Sequence, residues 1–142
     1  MADIFKTFET DLDAEVNGET IQLTDEIWVS VARSQNTNHR KALELLTRKH
    51  RAQIQNGTIA PEVLEEIANR AASETLLLDW GGIDVDGKKL PYSIENAYKL
   101  LSDPRLKDFR EQVFLIASEA ATFRKAEIEE AAKNSAASSP GT

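Results

Sequence analysis

The sequence predicts an α+β fold: a small N-terminal antiparallel β-meander followed by a mainly α-helical bundle of about four helices. Three observations point there. Apolar residues alternate with period two up to about residue 32, and recur every three to four residues after Asn38. Asn17-Gly18 sits between two alternating runs, the strongest short signal for a hairpin. Beyond Asn38, Asn-Gly, X-Pro and Ser or Asp caps divide the chain at helical lengths. With 142 residues the chain suits one core, predicted as a single domain over 1–133. The meander takes 12–33, the helical part 38–132, and the small polar stretch 134–142 is expected to be a disordered tail.

In the hairpin reading Val16 pairs with Glu19, Ala14 with Ile21 and Leu12 with Leu23, which puts the apolar side chains on one face. Ile27, Val29 and Val31 alternate cleanly and suggest a third strand, although Asp25 could cap a helix there instead. His39, Leu43, Leu46, His50 and Ile54 then share one helical face, which stops at Asn56-Gly57. Pro61 opens a second helix, where its missing N–H is harmless, and Leu64, Ile67, Ala71, Thr75 and Leu78 line its inner side up to Trp80. A long connection with turns at Asp86-Gly87 and Leu90-Pro91 leads to a short helix capped by Ser93. Asp103-Pro104 restarts the chain as one last helix to about Ala132, roughly 40 Å long at 1.5 Å per residue.

Composition removes several function classes. The chain has no cysteine, so disulfides, thiolate metal sites and thiol nucleophiles are excluded. A net charge of −7 argues against a general affinity for nucleic-acid phosphates. No apolar run is long enough to span a bilayer, and the first residues lack a signal-peptide pattern. These features predict a soluble protein of the cytoplasm.

The sequence carries no recognisable catalytic or metal-binding motif. His39 and His50 share a predicted helix but stand roughly 16 Å apart along its axis, too far for one metal. Aligning Gly87 with the glycine of a calcium loop puts Gly82 and Ser93 at ligand positions that require carboxylates. No phosphate loop or nucleophile elbow is present, and no cofactor is implied. The chain is therefore expected not to be an enzyme.

Candidate partner-binding residues remain. Trp80 beside Gly81-Gly82 is either a core plug or an anchor for a partner. Phe114 and Leu115 flank Val113 and widen the apolar stripe of the last helix, suggesting contact with a second chain as well as the core. Arg40, Lys41 and Arg48, with Lys49 and Arg51, form a basic cluster in an acidic chain that could meet an acidic partner; a solvated helix face is the plainer explanation.

Several segments carry a resemblance: Leu77-Leu78-Asp79-Trp80-Gly81-Gly82-Ile83, Leu90-Pro91-Tyr92-Ser93 with Glu95-Asn96-Ala97, Leu100-Leu101-Ser102-Asp103-Pro104-Arg105, and Phe123-Arg124-Lys125-Ala126-Glu127-Ile128. With Val31-Ala32-Arg33, His39-Arg40-Lys41-Ala42-Leu43 and Ile54-Gln55-Asn56-Gly57-Thr58, they cover about 100 of the 142 residues. Together they resemble the tail assembly chaperones of long-tailed bacteriophages and prophages. The resemblance implies a protein of the host cytoplasm, absent from the mature virion, that binds the tape measure protein and keeps it soluble while tail-tube subunits polymerise. It implies a homo-oligomer, with the tail tube protein a second candidate partner. A structural head–tail connector or tail-completion protein of the virion is the alternative.

The resemblance also implies a longer product made by a −1 ribosomal frameshift. Ala132-Lys133-Asn134 can be encoded GCA-AAA-AAC, which contains the slippery heptamer A-AAA-AAC. Codons 132–134 of the gene test this directly: any other spelling that cannot re-pair one base back removes the expectation of a frameshift here.

Overall fold

In the computed structural model, which describes the backbone of residues 1–138 and the side chains of residues 1–134, the predicted α+β class holds. The core lies between a three-stranded antiparallel sheet and the helices packed on it.

The chain begins with two short helices, α1 (Ile4–Phe8) and α2 (Leu12–Asn17). The second replaces the first strand of the predicted hairpin. Asp11 caps it, accepting from the Ala14 amide at 3.0 Å, and Gly18 closes it at φ +93°. A glycine after an asparagine serves a helix C-cap as well as a type I′ turn, and here the upstream cap selects the helix. Strands β1 (Glu19–Gln22) and β2 (Trp28–Val31) then pair antiparallel, with Glu19 opposite Val31 and Gln22 opposite Trp28. Val29 and Val31 are fully buried, as their alternation predicts.

Asn36 caps α3 (Thr37–Thr47), which passes through a 3-10 turn at Arg48–His50 into α4 (Arg51–Gln55). Gly57 ends this arm at φ +68°. Pro61 stands at the first position of α5 (Pro61–Thr75). The sequence reading carried this helix to Leu78; instead Leu77–Gly81 form β3, antiparallel to β2. Three leucines favour a helix locally, but β2 has a free edge beside them, and pairing with it outweighs the local preference. β3 thus supplies the third strand of the sheet on the β2 edge, whereas residues 12–16 were predicted as a strand on the β1 edge.

Gly81 lies opposite Trp28, and a Cβ there would collide with the Trp28 indole. Gly82 turns away at φ +76°, where a Cβ would strike the Glu26 carbonyl. The connection then forms a small hairpin, β4 (Asp84–Val85) and β5 (Lys88–Lys89), around Asp86-Gly87, both at positive φ. This is the two-residue turn that an Asp-Gly pair favours.

Ser93 caps α6 (Ile94–Ser102), its Oγ accepting from the Asn96 amide at 3.0 Å. Asp103 and Pro104 start a 3-10 turn leading into α7 (Lys107–Ser118). The predicted single last helix does not exist. The chain is extended at Glu119, makes a 3-10 turn over Ala120–Phe123, is extended again at Arg124, and resumes as α8 (Lys125–Ser138). The breaks let Phe123 reach full burial and let Arg124 form an antiparallel bridge with Thr10. Residues 134–138, assigned by sequence to a disordered tail, continue α8; the remainder of that stretch, 139–142, lies outside the described residues.

Trp80 is central to the packing. Only 5% exposed, it lies in the core cluster with Val29, Leu76, Ala97, Leu101 and Val113. Its indole N–H donates to the Leu90 carbonyl at 2.9 Å, and Tyr92 meets it edge-on with centroids 5.0 Å apart. Trp80→Ala removes this packing and strands the Leu90 carbonyl, so it should cost about 3–5 kcal/mol. Thermal unfolding checks this; an unchanged midpoint would show that the ring does not carry the core.

Candidate functional site

Several large apolar side chains stand exposed together at the end of the molecule formed by α1 and α2. Asp3 caps α1, its Oδ1 accepting from the Phe5 amide at 2.9 Å, and the helix buries none of its residues. Ile4, Phe5 and Phe8 are 67%, 71% and 63% exposed, and Leu12 at the start of α2 is 73% exposed. On α1, Ile4, Phe5 and Phe8 lie within about a third of a turn of one another, and Leu12 at the start of α2 lines the same groove. They line an open groove of about 410 Å³ together with Glu9 and Thr10. Isolated exposed leucines need no explanation, but four large apolar side chains together do.

Backbone hydrogen bonds hold this end in place. The Asp11 amide donates to the Phe123 carbonyl and the Lys125 amide to the Glu9 carbonyl, each at 2.8 Å. Arg33 reaches Glu15 at 3.2 Å and Thr10 at 3.3 Å. The Arg124 guanidinium lies 5.7 Å from the Phe8 ring. The patch is thus fixed by its edges while its apolar face stays open.

Of the residues picked from sequence, Trp80 lies in the core, as described. Phe114 is half-buried against the core, with the Arg110 guanidinium 4.6 Å over its ring, while Leu115 beside it is 51% exposed. Arg40 and Lys41 are exposed on α3, and Arg48 pairs with Glu44 one turn back at 3.4 Å. Every residue of α4 is exposed, so the chain from Arg48 to Gln55 forms a basic arm with Leu45 and Ile54 also open to solvent. Trp80 and Phe114 thus belong to or flank one core, while Leu115 and the basic arm face solvent.

The α1–α2 patch escaped the sequence reading, although its signal was present. Asp3 followed by Ile4, Phe5 and Phe8 is a capped helix turn with one apolar side. Assigning Leu12 to an inward strand face concealed the fourth member.

Among the described residues no three His, Asp or Glu side chains are placed to hold a metal ion, and no helix is long and apolar enough to cross a membrane. The displaced titrations have structural causes. Arg105, hydrogen-bonded to Asp103 through side chain and backbone, holds that carboxyl down at about 2. Burial, with Asp79 nearby, raises Tyr92, whose hydroxyl donates to the Leu77 carbonyl at 2.7 Å. Burial, with Asp11 nearby, likewise raises Glu19. His39 is buried and held below its ordinary value by desolvation; its Nδ1 accepts from the Gln35 amide at 2.9 Å.

Residues 34–134 match the YdaY prophage protein family, which makes this chain a protein of phage or prophage origin. The match spans more than two thirds of the sequence, and the chain belongs to that family. It takes in the basic arm, α5 to α7, β3 and most of α8; α1, α2, β1 and β2 precede it. No curated protein and no solved structure matches the chain.

The depressed His39 titration fixes the sign of a pH effect. The folded state prefers neutral imidazole, so the stabilisation is present above the unfolded value near 6.5 and is lost as pH falls below it. The unfolding midpoint should drop between about pH 7 and about pH 5.5. His39→Gln, which keeps an acceptor but does not titrate, should flatten that segment of the profile. An equally steep fall in the variant would assign it to another group; Asp103 titrates well below this window.

Proposed function

We propose that the protein is a tail assembly chaperone, a binding protein without catalysis that works in the host cytoplasm and is absent from the mature virion. It covers apolar stripes of the tape measure protein, keeps that long helical chain soluble, and releases it as tail-tube subunits polymerise. The observation that carries this reading is the α1–α2 patch, where Ile4, Phe5, Phe8 and Leu12 are presented to solvent together. An apolar groove of this kind suits an amphipathic helix laid into it. Membership of a prophage family supports the setting, and the net charge of −7 supports the solubilising role. Many weak contacts along one client would add up through avidity.

Co-expression with the long helical protein encoded by the same prophage tests the proposal. The client should move from the insoluble to the soluble fraction and co-purify with this chain. Phe5→Ser with Leu12→Ser should reduce that recovery without lowering the unfolding midpoint, because both side chains are themselves exposed, at 71% and 73%. A client equally insoluble with and without the protein overturns the reading. Recovery of the protein in purified particles would favour a connector or tail-completion subunit instead.

A further inference from the structure

The chain contains two Asn-Gly pairs, Asn17-Gly18 closing α2 and Asn56-Gly57 closing α4. Such a pair can react with itself: the glycine nitrogen attacks the asparagine carboxamide carbon, and no glycine Cβ shields it. The attack needs a free N–H and a carboxamide able to swing over it, so the surrounding structure sets the rate. Asn17 is held on both counts. Its Nδ2 donates to Asp13 Oδ1 at 2.7 Å, and the Gly18 N–H donates to the Ala14 carbonyl at 2.9 Å. A Cβ on Gly18 would collide with the Ser30 hydroxyl, and β1, paired with β2, begins at the next residue. Asn56 and Gly57 are both exposed, as is every residue of α4 before them, and a Cβ on Gly57 would meet nothing within 4 Å. The Gly57 N–H donates to the Ile54 carbonyl at a longer 3.2 Å, and among the described residues no hydrogen bond holds the Asn56 carboxamide. Asn56 sits at φ −86°, ψ −4°, so its carboxamide reaches Gly57 only when the turn unwinds. Unwinding here opens one exposed turn; at Asn17 it disturbs the sheet edge.

We propose that Asn56 is a site of spontaneous deamidation in the folded protein, and that the fold protects Asn17 from the same reaction. The Gly57 nitrogen gives up its proton and bonds to Cγ of Asn56; the Cγ–Nδ2 bond breaks, and ammonia leaves carrying that proton. The cyclic imide then takes up one water. Opening at Cγ gives aspartate, whereas opening at the main-chain carbonyl carbon gives isoaspartate, with the chain rerouted through the side chain and one carbon longer. Nothing is oxidised or reduced, and water is the only reagent consumed. Either product puts a negative charge at the C-terminal end of α4, where the helix dipole disfavours it. The isoaspartate also displaces Thr58, whose N–H closes the turn on the Gln53 carbonyl at 2.8 Å. The end of the basic arm therefore frays after reaction, while α3 stays packed on α5. This chemistry belongs to the protein alone and is independent of the chaperone reading.

Timed incubation of the full folded chain in mildly basic buffer, followed by tryptic digestion and mass spectrometry, tests the proposal. Cleavage after Lys6, Arg33, Arg51 and Arg70 puts the two pairs on separate peptides, 7–33 and 52–70. Peptide 52–70 should gain the mass that replaces an amino by a hydroxyl group, and fragmentation should place the gain at Asn56 and not at the buried Asn69. Conversion at Asn56 should run about tenfold or more faster than at Asn17, the ratio set by the difference in local opening. In denaturant the two rates should fall within about threefold of each other, because the folded turns no longer distinguish them. Asn56→Gln should leave peptide 52–70 unchanged in mass over the same period. Equal rates in the folded chain overturn the proposal, as does a folded chain in which Asn17 reacts first. So does a gain in 52–70 that survives Asn56→Gln, or its absence in the folded chain while the denatured chain reacts. Client solubilisation by freshly purified protein is unaffected by any of these results.

Discussion

The indole N–H of Trp80, donated to the Leu90 carbonyl, ties the central packing of the sheet to the connection that leads into α6. Trp80 belongs to β3, and Leu90 to the far side of the connection that ends in α6. The bond, with the edge-on Tyr92 ring beside it, brings residues 83–92 back over the strand they have just left. Tyr92 adds a second tie through its hydroxyl to the Leu77 carbonyl, four residues after Ser73 and at the start of the same strand. Ser93 then caps α6 directly after this clasp, so the direction of α6 follows from it. With α6 in place, Ala97 and Leu101 reach Leu76, Val113 and Ile116, and the core closes. A buried aromatic whose one polar atom is satisfied combines apolar packing with directional placement.

The sequence disclosed most where chemistry acts within a few residues. Ser93, Asp103-Pro104, Pro61 and Asn56-Gly57 mark their boundaries because caps and restricted φ angles are local. The alternation of Val29 and Val31 disclosed a strand because one face of it is fully buried. Three features were misread, two of them because they depend on distant partners. Leu77–Gly81 has a helical composition until β2 is beside it. Asn17-Gly18 suits two motifs, and the choice between them lies upstream at Asp11. The apolar spacing from Leu106 to Phe123 fits one helix, yet the break at Glu119 follows from where Phe123 and Arg124 must go. The partner-binding residues suffered from the same limit: an apolar stripe shows which residues avoid water, and only packing shows which ones fail to.

The fold and the exposed surfaces divide along the chain. The core cluster draws mainly on β2, β3 and the helices α5 to α7, all but β2 within the stretch shared with the prophage family. The apolar end precedes that stretch, whereas the basic arm falls inside it.

The antiparallel bridge between Thr10 and Arg124, with the flanking bonds from Asp11 to Phe123 and from Lys125 to Glu9, makes α1 and α8 mechanically interdependent. Neither helix has a deeply buried face among its described side chains. Parting those few backbone bonds frees both together while the sheet and α5 to α7 stay folded. The two helices then form one cooperative opening unit, with a local free energy below that of global unfolding. In hydrogen exchange the amides of Asp11 and Lys125, 114 positions apart in sequence, would report the same event, while those of β2 and β3 wait for the whole domain to open.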